Sequence, residues 1–581
     1  MSTSSWALQL ARIRQRLGAY RSRVHPISML GRALLLVLLP FQAVLASFFV
    51  PTPTGFESRP GHANTTVRFK RVPPHICHQN THSKSYAGYV DLSEYEHMFF
   101  WFFEADEEPE KKPLTVWFNG GPGSSSMIGL FQENGPCTVM PDDKLRTNPY
   151  SWTRISNMLY IDQPVATGFS YSHVGPVIKN KAKATVEPLA SAECPKNLTK
   201  HEVCGTYSLP KKTKAPSTTA ECAPAVWKML QGFIGAFPEY GKKKLHLTTE
   251  SYGGHYAPAF GSYFLKQNEK NLSGTVPMDL DSIMIGNGWY DPLVHYEAYY
   301  NFTVHPGNTY DFQPFNKSIS EKLYNNLHGE GKCLEQIRNC YATGDNRICR
   351  KADTFCANKV ESVLDKYANR DEYDIRELMP DPFPYENFAK YLNTPKVQQA
   401  IGAYQNYSDS APQNVISGFT RTGDDGRTAG SVRHVRHLLE KGVKITMHAG
   451  DADYNCNWFG GHVIAEKIGG EPFADSGYAN LTVSNNTYGQ VRQAGSLAFV
   501  RVYYSGHEVP FYQPSAALAL LNRTIEGVDI ASGQRKTAKD FHTVGPRIST
   551  FHQGNGTVQH KVLPPSATYN RTTHRPNLRQ P

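Results

Sequence analysis

Ser251 lies where the sequence favours a tight turn between a strand and a helix. The apolar run Leu245–Leu247 precedes it, and Gly253 and Gly254 follow it at the predicted start of the helix. This order is typical of a nucleophile elbow, which projects a serine hydroxyl out of a sheet, towards N–H groups that can face an oxyanion. Because Thr249 replaces the first glycine of the usual G-x-S-x-G pattern, an ordinary turn serine is the alternative interpretation.

An aspartate and a histidine follow predicted strands further along the chain. Asp453 comes shortly after the strand-like segment Lys444–His448, and His507 comes shortly after Ala498–Tyr504. Reactive groups of open α/β sheets lie in the loops at these strand ends. A serine nucleophile needs an imidazole to take its proton and a carboxylate to orient the imidazole. The order Ser, Asp, His therefore predicts an α/β-hydrolase site.

Four segments of the chain together resemble the serine carboxypeptidase family. They are Trp117–Ser126, Glu250–Tyr256, Gly450–Trp458 and Gly506–Pro510, within a resemblance that extends with interruptions from about Tyr86 to Asn522. The chain is most similar to secreted fungal members. The resemblance implies an α/β fold of the α/β-hydrolase type, with a mostly parallel central sheet flanked by helices and an inserted cap stapled by disulfides.

The resemblance also implies an activity and a catalytic set. Ser251 would be the nucleophile, His507 the base and Asp453, rather than Asp451, the residue that orients the base. The expected enzyme is a serine-type carboxypeptidase that releases C-terminal amino acids at acidic pH through an acyl-enzyme. Its partners would be peptide and protein C-termini, and no cofactor is implied.

By the same resemblance, the backbone N–H groups of Gly121 and Tyr252 form the oxyanion hole. A donor of this kind contributes about 3 kcal/mol to the stability of the transition state. Without the serine elbow, the segment Asn119–Gly123 would be interpreted as a Gly-Pro turn after a strand.

Recognition of the free carboxylate of the substrate falls, by resemblance, to Asn119, Gly120, Glu133 and Glu250. Two glutamates can bind an anion if they are protonated. Carboxyl groups that are close together and partly buried do not both ionise readily, so at least one has a raised pKa and can donate a hydrogen bond. We therefore expect peptide hydrolysis to favour acidic pH. A solvated charge at a helix end is the alternative interpretation of Glu133.

The N-terminal region predicts a secretory signal. An apolar stretch over residues 33–45 follows a basic residue and leads to Ala46, near which we expect cleavage. The stretch is short for a membrane span, so we expect no stable membrane insertion after cleavage. For the extension before it, a true start at Met29 is one interpretation, and a long n-region or a type II anchor is the competing one. Residues 1–46 are thus the predicted signal region, and the protein is expected to be secreted or, alternatively, vacuolar.

N-x-Ser/Thr sequons recur along the chain and favour a glycosylated secreted protein. They begin at Asn64, Asn197, Asn271, Asn301, Asn316, Asn406, Asn480, Asn485, Asn522, Asn555 and Asn570.

The cysteines indicate an oxidising compartment. Four of them cluster in one polar stretch, and of three possible connectivities we prefer the nested one, which pairs Cys333 with Cys356 and Cys340 with Cys349. Cys77 and Cys137 form another candidate pair. Cys456 is an unpaired thiol near the active site by resemblance, or else a buried structural cysteine. The pairing among Cys194, Cys204 and Cys222 stays open.

The order of predicted elements divides the chain after the signal region into a hydrolase core in two parts, an inserted cap and a tail. Residues 47–290 form the first part of the hydrolase core, with a polar insertion at 173–222 that is a mobile loop over the cleft, a disordered insertion or retained intron sequence. Residues 291–384 form the inserted cap, residues 385–525 the second part of the core, and residues 526–581 a polar tail outside it.

Composition excludes some other classes. The formal net charge of +10 is modest for 581 residues, and the basic residues are scattered without interleaved aromatics, so we expect no nucleic-acid site. The sequence shows no metal-binding pattern. The alternatives to the hydrolase are an acyltransferase of the same family and a secreted binding glycoprotein with an inactive site.

Overall fold

The computed structural model describes residues 49–77, 82–140, 142–209, 215–304, 308–379, 385–428, 430–561, 569–570 and 575–576. The predicted signal region, residues 1–46, lies outside these ranges, and so does the side chain of Asn570.

Most strands of the described chain belong to one large sheet. The strands are β1 (Glu57–Pro60), β2 (Thr66–Arg71), β3 (Ser85–Ser93), β4 (Glu96–Phe103), β5 (Leu114–Phe118), β6 (Cys137–Val139), β7 (Leu145–Thr147), β8 (Asn157–Ile161), β9 (Val174–Asn180), β10 (Thr185–Pro188), β11 (Glu202–Ser208), β12 (Leu245–Glu250), β13 (Leu280–Gly286), β14 (Lys444–Gly450), β15 (Ala479–Val483), β16 (Asn486–Ala494), β17 (Leu497–Val502), β18 (Tyr569–Asn570) and β19 (Arg575–Pro576).

The large sheet is mixed. Its strand order is β1-β2-β3-β4-β8-β5-β12-β13-β14-β17-β16-β15. Neighbouring strands from β8 to β17 in this order are parallel, and the strands at both edges are antiparallel. The parallel strands β5 and β12 are buried along their whole length, as expected for strands covered on both faces. The carboxyl ends of β12, β13, β14 and β17 therefore meet at one edge, where the predicted reactive residues follow.

Helices precede and follow the central strands. They are α1 (Thr219–Ala236), α2 (Pro238–Gly241), α3 (Gly253–Lys270), α4 (Pro292–Val304), α5 (Lys317–His328), α6 (Cys333–Thr343), α7 (Asn346–Cys356), α8 (Val363–Ala368), α9 (Tyr385–Leu392), α10 (Pro395–Ile401), α11 (Gln413–Thr422), α12 (Ser431–Glu440), α13 (Trp458–Ala474), α14 (Val509–Tyr512) and α15 (Pro514–Glu526). Short 3-10 or π-helical turns occur at Pro74–Ile76, Gly129–Glu133, Trp152–Arg154, Ala357–Glu361 and Asn555–Thr557.

The core consists of two apolar layers, one on each face of the sheet. Alternate side chains of β5 divide between them: Val116 packs in the layer formed with α1, α3, α12 and α13, and Trp117 in the layer formed with α9, α10 and α15. Helices thus cover both faces of the parallel centre. This is the α/β architecture that the sequence predicts, with more antiparallel pairing at the edges than expected.

The polar insertion is ordered rather than irregular. Strands β10, β9 and β11 form a small antiparallel sheet, and a disulfide joins Cys194 to Cys204. The insertion docks on the segment before α11, where Thr206 N–H donates to Asn406 Oδ1 over 2.8 Å. The end of the predicted insertion, from Thr219 onwards, already belongs to α1. The interpretation of residues 173–222 as a mobile or disordered loop is therefore wrong for most of this segment.

The cap segment is helical and contains two disulfides. Cys333 pairs with Cys356, and Cys340 pairs with Cys349. A further disulfide joins Cys77 to Cys137. Helices α4 to α8 lie in the predicted range 291–384, and α9 to α12 continue the same crossover from β13 to β14.

The tail packs against the core, contrary to expectation. Ile530, Ala531 and Val558 are buried, and the ring of Phe551 stacks on Tyr503 with centroids 3.7 Å apart. The prediction that the tail lies outside the core is therefore wrong for residues 527–561. The polar composition of the tail suggested a segment outside the core, because hydrogen bonds rather than apolar contacts hold most of these residues. Across the described ranges, no helix combines the length and the apolar character needed to cross a membrane.

We predict that replacing Cys333 and Cys356 by serine lowers the free energy of unfolding by about 3 kcal/mol, because the disulfide closes a loop of 23 residues in the unfolded chain. Thermal and denaturant unfolding measure the change. Cys222→Ser, which alters a buried free thiol without removing a disulfide, is the control. Equal stability of the double variant and the wild type would contradict the prediction.

Candidate active site

Ser251 occupies a sharp turn between β12 and α3. Its φ is 60°, in the left-handed region that a serine rarely adopts. The backbone is held from three sides: Ser251 N–H donates to Gly286 O over 3.0 Å, and its carbonyl accepts from Trp289 N–H at 2.8 Å and Gly254 N–H at 3.0 Å. Strained conformations persist where surrounding contacts fix them. The geometry is that of a nucleophile elbow despite Thr249.

Asp453 and His507 form a buried hydrogen-bonded pair. His507 Nδ1 lies 2.8 Å from Asp453 Oδ2, and Asp453 is fully buried. The loop after β14 carries the aspartate and the loop after β17 carries the histidine. The histidine backbone N–H donates to Tyr373 O over 2.9 Å, and the tyrosine ring lies against the imidazole with centroids 4.7 Å apart. Asp451, in contrast, accepts from the hydroxyl of Tyr310.

Three further donors reach the Asp453 carboxylate. Asn287 Nδ2 donates to Oδ2 over 2.7 Å, Asn455 N–H to Oδ1 over 3.0 Å and Cys456 N–H to Oδ2 over 3.2 Å. Asn287 Oδ1 also accepts from Gly450 N–H. Asn287 has no role among those predicted from the sequence. Its position directly after β13 was the available signal, since the loops after neighbouring strands converge at this edge.

A small cavity lies beside the serine. Its lining includes Ser251, Gly121, Tyr252, Asn455 and Cys456. The ligand atoms of Asp453, Cys456 and His507 lie within 4.8 Å of one another. Because Cys456 belongs to both groups, the three predicted catalytic side chains gather around one thiol, although they follow three different strands.

The loop after β5 lies against the elbow. A Cβ atom on Gly120 would be 2.6 Å from Tyr252 N, so only glycine permits this close approach. Gly121 has a φ of 113°, which strains other residues. The Tyr252 hydroxyl donates to Asp424 Oδ2 over 2.7 Å, and Thr219 at the start of α1 donates to the same oxygen. Asp424 is a second residue that sequence reasoning missed.

A cluster of buried carboxyl groups surrounds the elbow. Asn119 Nδ2 donates to Glu250 Oε1 over 2.8 Å, and Gln132 Nε2 donates to Glu508 Oε2 over 2.9 Å. Neither carboxyl oxygen of Glu133 has a hydrogen-bond partner within the described residues. The π-helical turn Gly129–Glu133 carries this glutamate, which is 3% exposed. The solvated helix-end interpretation of Glu133 is therefore wrong.

The buried groups have shifted pKa values. Burial raises the pKa of Glu133 well above its usual range, and the charges of Glu250 and Glu508 raise it further. Burial raises the pKa of Glu250 to about 7 against the opposing effect of His507. For His507, burial lowers the pKa, but Asp453, Glu250 and Glu508 together raise it to about 9. The glutamates and the imidazole therefore titrate as one coupled system.

The family model described as serine carboxypeptidase matches residues 74–527. The chain belongs to the serine carboxypeptidase family.

Three curated fungal proteins are similar to this serine carboxypeptidase over most of its length. Carboxypeptidase S1 homolog B of Arthroderma otae is 36% identical over 577 residues, covering 91% of this chain and 87% of the relative. Carboxypeptidase S1 of Penicillium janthinellum is 35% identical, covering 79% of this chain and 98% of the relative. Carboxypeptidase Y homolog of Arthroderma benhamiae is 31% identical, covering 86% of each. These relatives and the family model confirm the predicted carboxypeptidase family.

A solved structure of low sequence identity has the same fold. The prohormone-processing carboxypeptidase Kex1(delta)p of Saccharomyces cerevisiae matches with a TM-score of 0.63 and 22% identity, covering 79% of this chain and 96% of that one. The predicted α/β-hydrolase fold class is thereby confirmed.

Two thiols of the serine carboxypeptidase are free. Cys456 and Cys222 are buried, and burial raises the pKa of each thiol well above its usual range. Although Cys456 stands beside Asp453 and His507, a protonated thiol is a poor metal ligand. The Asp453–His507 hydrogen bond explains why the three side chains lie close together, and no metal ion is needed to explain it.

The sequon asparagines differ in exposure. Exposed ones are Asn64, Asn197, Asn271, Asn316, Asn480, Asn485, Asn522 and Asn555, and half-buried ones are Asn301 and Asn406. The amide of Asn406 is engaged twice, because Oδ1 accepts from Thr206 N–H and Nδ2 donates to Asn393 Oδ1.

We predict that Asn287→Ala lowers kcat/KM about 10- to 100-fold, because loss of one hydrogen bond to a buried carboxylate is worth about 1–3 kcal/mol. Steady-state hydrolysis of a blocked dipeptide measures the change. Asn268→Ala is the matched control: it removes an amide that also makes two hydrogen bonds, both to Met278, at the opposite end of the sheet. Similar activities of the two variants would refute a positioning role for Asn287.

Proposed function

We propose that the protein removes single amino acids from peptide C-termini through an acyl-enzyme at Ser251. The observation that carries this proposal is the buried carboxyl cluster beside the nucleophile. Asn119, Glu133 and Glu250 offer an amide and two carboxyl groups of raised pKa at the side of the serine. An enzyme that merely cleaved esters would have no need of such groups.

In the proposed mechanism the Ser251 hydroxyl attacks the carbonyl carbon of the last peptide bond while His507 accepts its proton. Asp453 holds the imidazole by its Nδ1 and stabilises the charged form. His507 then gives the proton to the leaving amine, and the C-terminal amino acid departs. Water, activated by the same imidazole, hydrolyses the acyl-enzyme and restores the serine.

The negative oxygen of each tetrahedral intermediate needs donors. We assign this role to the backbone N–H groups of Gly121 and Tyr252. The close contact of Gly120 with the backbone of Tyr252 brings the two segments together. Their preorganisation matters because donors that are already in place cost no reorganisation during the reaction.

Recognition of the substrate carboxylate is proposed for Asn119, Gly120, Glu133 and Glu250. Protonated glutamates donate hydrogen bonds to the anion, whereas ionised ones repel it. A proton on Glu250 also removes one of the charges that raise the pKa of His507, which favours the neutral imidazole that acts as base. Acidic conditions therefore support binding of the substrate carboxylate.

We further propose that the enzyme acts outside the cell or, alternatively, in a vacuole. Four disulfides in the described part of the chain and the many exposed sequons support an oxidising route through the secretory pathway.

We predict that Ser251→Ala abolishes peptide hydrolysis, because no other group in the mechanism attacks the carbonyl carbon. Mass spectrometry of a peptide mixture at acidic pH measures the products. The wild type is expected to remove single residues stepwise from the C-terminus, and the variant none. Internal cuts by the wild type would argue against carboxylate recognition.

We predict that hydrolysis of peptides with a free carboxylate declines as pH rises through about 7, the raised pKa of Glu250. Ester or amidated substrates need no protonated glutamate, so their hydrolysis declines less. In Glu133→Gln the side chain donates at every pH, and the decline should become shallower. Profiles of kcat/KM against pH measure these differences, and parallel profiles for the two substrate types would refute the assignment.

A further inference from the structure

The loop of residues 371–377, in the cap segment, lies against the loop that carries the catalytic aspartate. Its residue Glu372 accepts two hydrogen bonds at the backbone carbonyl, from Tyr454 N–H over 3.0 Å and from Asn455 N–H over 2.9 Å. The Asn455 N–H is also one of the donors to the Asp453 carboxylate. The 371–377 loop is therefore in direct contact with residues that hold this carboxylate.

The same loop contacts the catalytic histidine. Tyr373 O accepts from His507 N–H over 2.9 Å, and the tyrosine ring lies against the imidazole. Ile375 N–H donates to Ala452 O over 2.8 Å, directly before the aspartate. Because the aspartate follows β14 and the histidine follows β17, the 371–377 loop is a common support for two segments that are distant in sequence.

A residue of the tail, Gln559, holds the base of this loop. The base is closed by Asp371 N–H, which donates to Glu377 O over 3.0 Å. At the next residue, Leu378 N–H donates to Gln559 Oε1 over 2.6 Å. The backbone N–H of Gln559 donates to Arg376 O over 2.7 Å, and Gln559 itself is 2% exposed. The buried glutamine thus satisfies the backbone donor at which the loop ends.

Other contacts hold the tail independently of the Gln559 side chain. Phe551 O accepts from Arg501 Nη2 over 2.7 Å, and Gln553 N–H donates to Thr309 O over 2.6 Å. A substitution at Gln559 is therefore expected to remove one contact with the loop and to leave the tail attached to the core.

The tail lies beyond the region that the family model describes. The match to serine carboxypeptidases ends at residue 527, and Gln559 belongs to the segment that follows. None of the four segments whose motifs identified the catalytic residues includes it. Membership in the family therefore does not assign this part of the chain a role in catalysis.

We infer that Gln559 is a positioning residue for the Asp453–His507 pair. It acts through the 371–377 loop, whose carbonyl groups hold the histidine and the neighbours of the aspartate. This inference rests on the proposed function, because it assumes that the pair activates Ser251. A displacement of reacting groups by about 1 Å can slow an enzyme about 100-fold, so a contact distant from the substrate can control the rate.

Two variants of similar side-chain size provide the first test. Gln559→Leu removes the acceptor for Leu378 N–H, whereas Gln559→Glu keeps an acceptor oxygen at the same place. We expect Gln559→Leu to lower kcat about tenfold and to change KM less than about twofold, because it shifts the catalytic pair and not the groups that bind the substrate. Gln559→Glu should retain most of the wild-type kcat.

Steady-state hydrolysis of a blocked dipeptide measures both constants. An unchanged kcat in Gln559→Leu would overturn the inference. Equal losses of kcat in Gln559→Leu and Gln559→Glu would overturn it as well, because the second variant keeps the acceptor.

Thr543→Val is the matched control in the tail. Thr543 is buried, and its Oγ1 also accepts from a backbone N–H, that of Gln493 in β16, over 2.9 Å. We expect Thr543→Val and Gln559→Leu to lower the free energy of unfolding by similar amounts, whereas only Gln559→Leu lowers kcat. If kcat decreased together with stability in both variants, the role of Gln559 would be merely structural and the inference would fail.

The reaction of Ser251 with a fluorophosphonate separates this inference from the proposed function. The reagent needs the same serine and base but has no terminal carboxylate. Its second-order rate constant should be about tenfold lower in Gln559→Leu and near the wild-type value in Gln559→Glu and Thr543→Val. An unchanged rate constant in Gln559→Leu would overturn the positioning role even if the enzyme removes C-terminal residues. The expected order of rate constants, without removal of C-terminal residues, would refute that specificity and support the positioning role.

Discussion

The active site depends on the burial of a single carboxylate. Asp453 is fully buried, and such a charge is tolerated only when donors surround it. The donors are the imidazole of His507, the amide of Asn287 and two backbone N–H groups of its own loop. Because these groups follow β13, β14 and β17, satisfying one charge fixes three loops relative to each other. The histidine is thereby placed beside the elbow that follows β12.

Neighbouring carboxyl groups are given opposite environments. Asp453 receives four hydrogen bonds, whereas the carboxyl oxygens of Glu133 receive none within the described residues. Divergent environments of this kind allow one fold to keep one acid charged and another protonated.

Local signals in the sequence were sufficient to predict those site residues that directly follow a strand, because the end of the strand determines where they lie. Ser251, Asp453 and His507 each follow a buried apolar strand, and the parallel centre of the sheet gathers such strand ends at one edge. Asn287 was missed because an amide after a strand has no motif of its own. Asp424 was missed because its partners, Tyr252 and Thr219, are distant in sequence. Only the three-dimensional packing shows these contacts.

Segments with polar composition were predicted less well. The small sheet β9–β11 and residues 527–561 have few apolar residues, so hydrophobic periodicity gave no indication that they are ordered. Backbone hydrogen bonds and contacts with distant loops hold them instead. In the described tail, Ile530 and Val558 are buried. Their burial depends on contacts with distant parts of the chain, which the sequence of the tail does not reveal.

The docking of β11 places a folding constraint on one sequon. Both polar atoms of the Asn406 side chain are engaged, one by the backbone of Thr206 and one by Asn393. The carbonyl oxygen holds the strand, and the nitrogen, the atom to which an oligosaccharide would be attached, faces Asn393. Because this side chain is half-buried and committed at both ends, carbohydrate is expected on the exposed sequons in preference to Asn406.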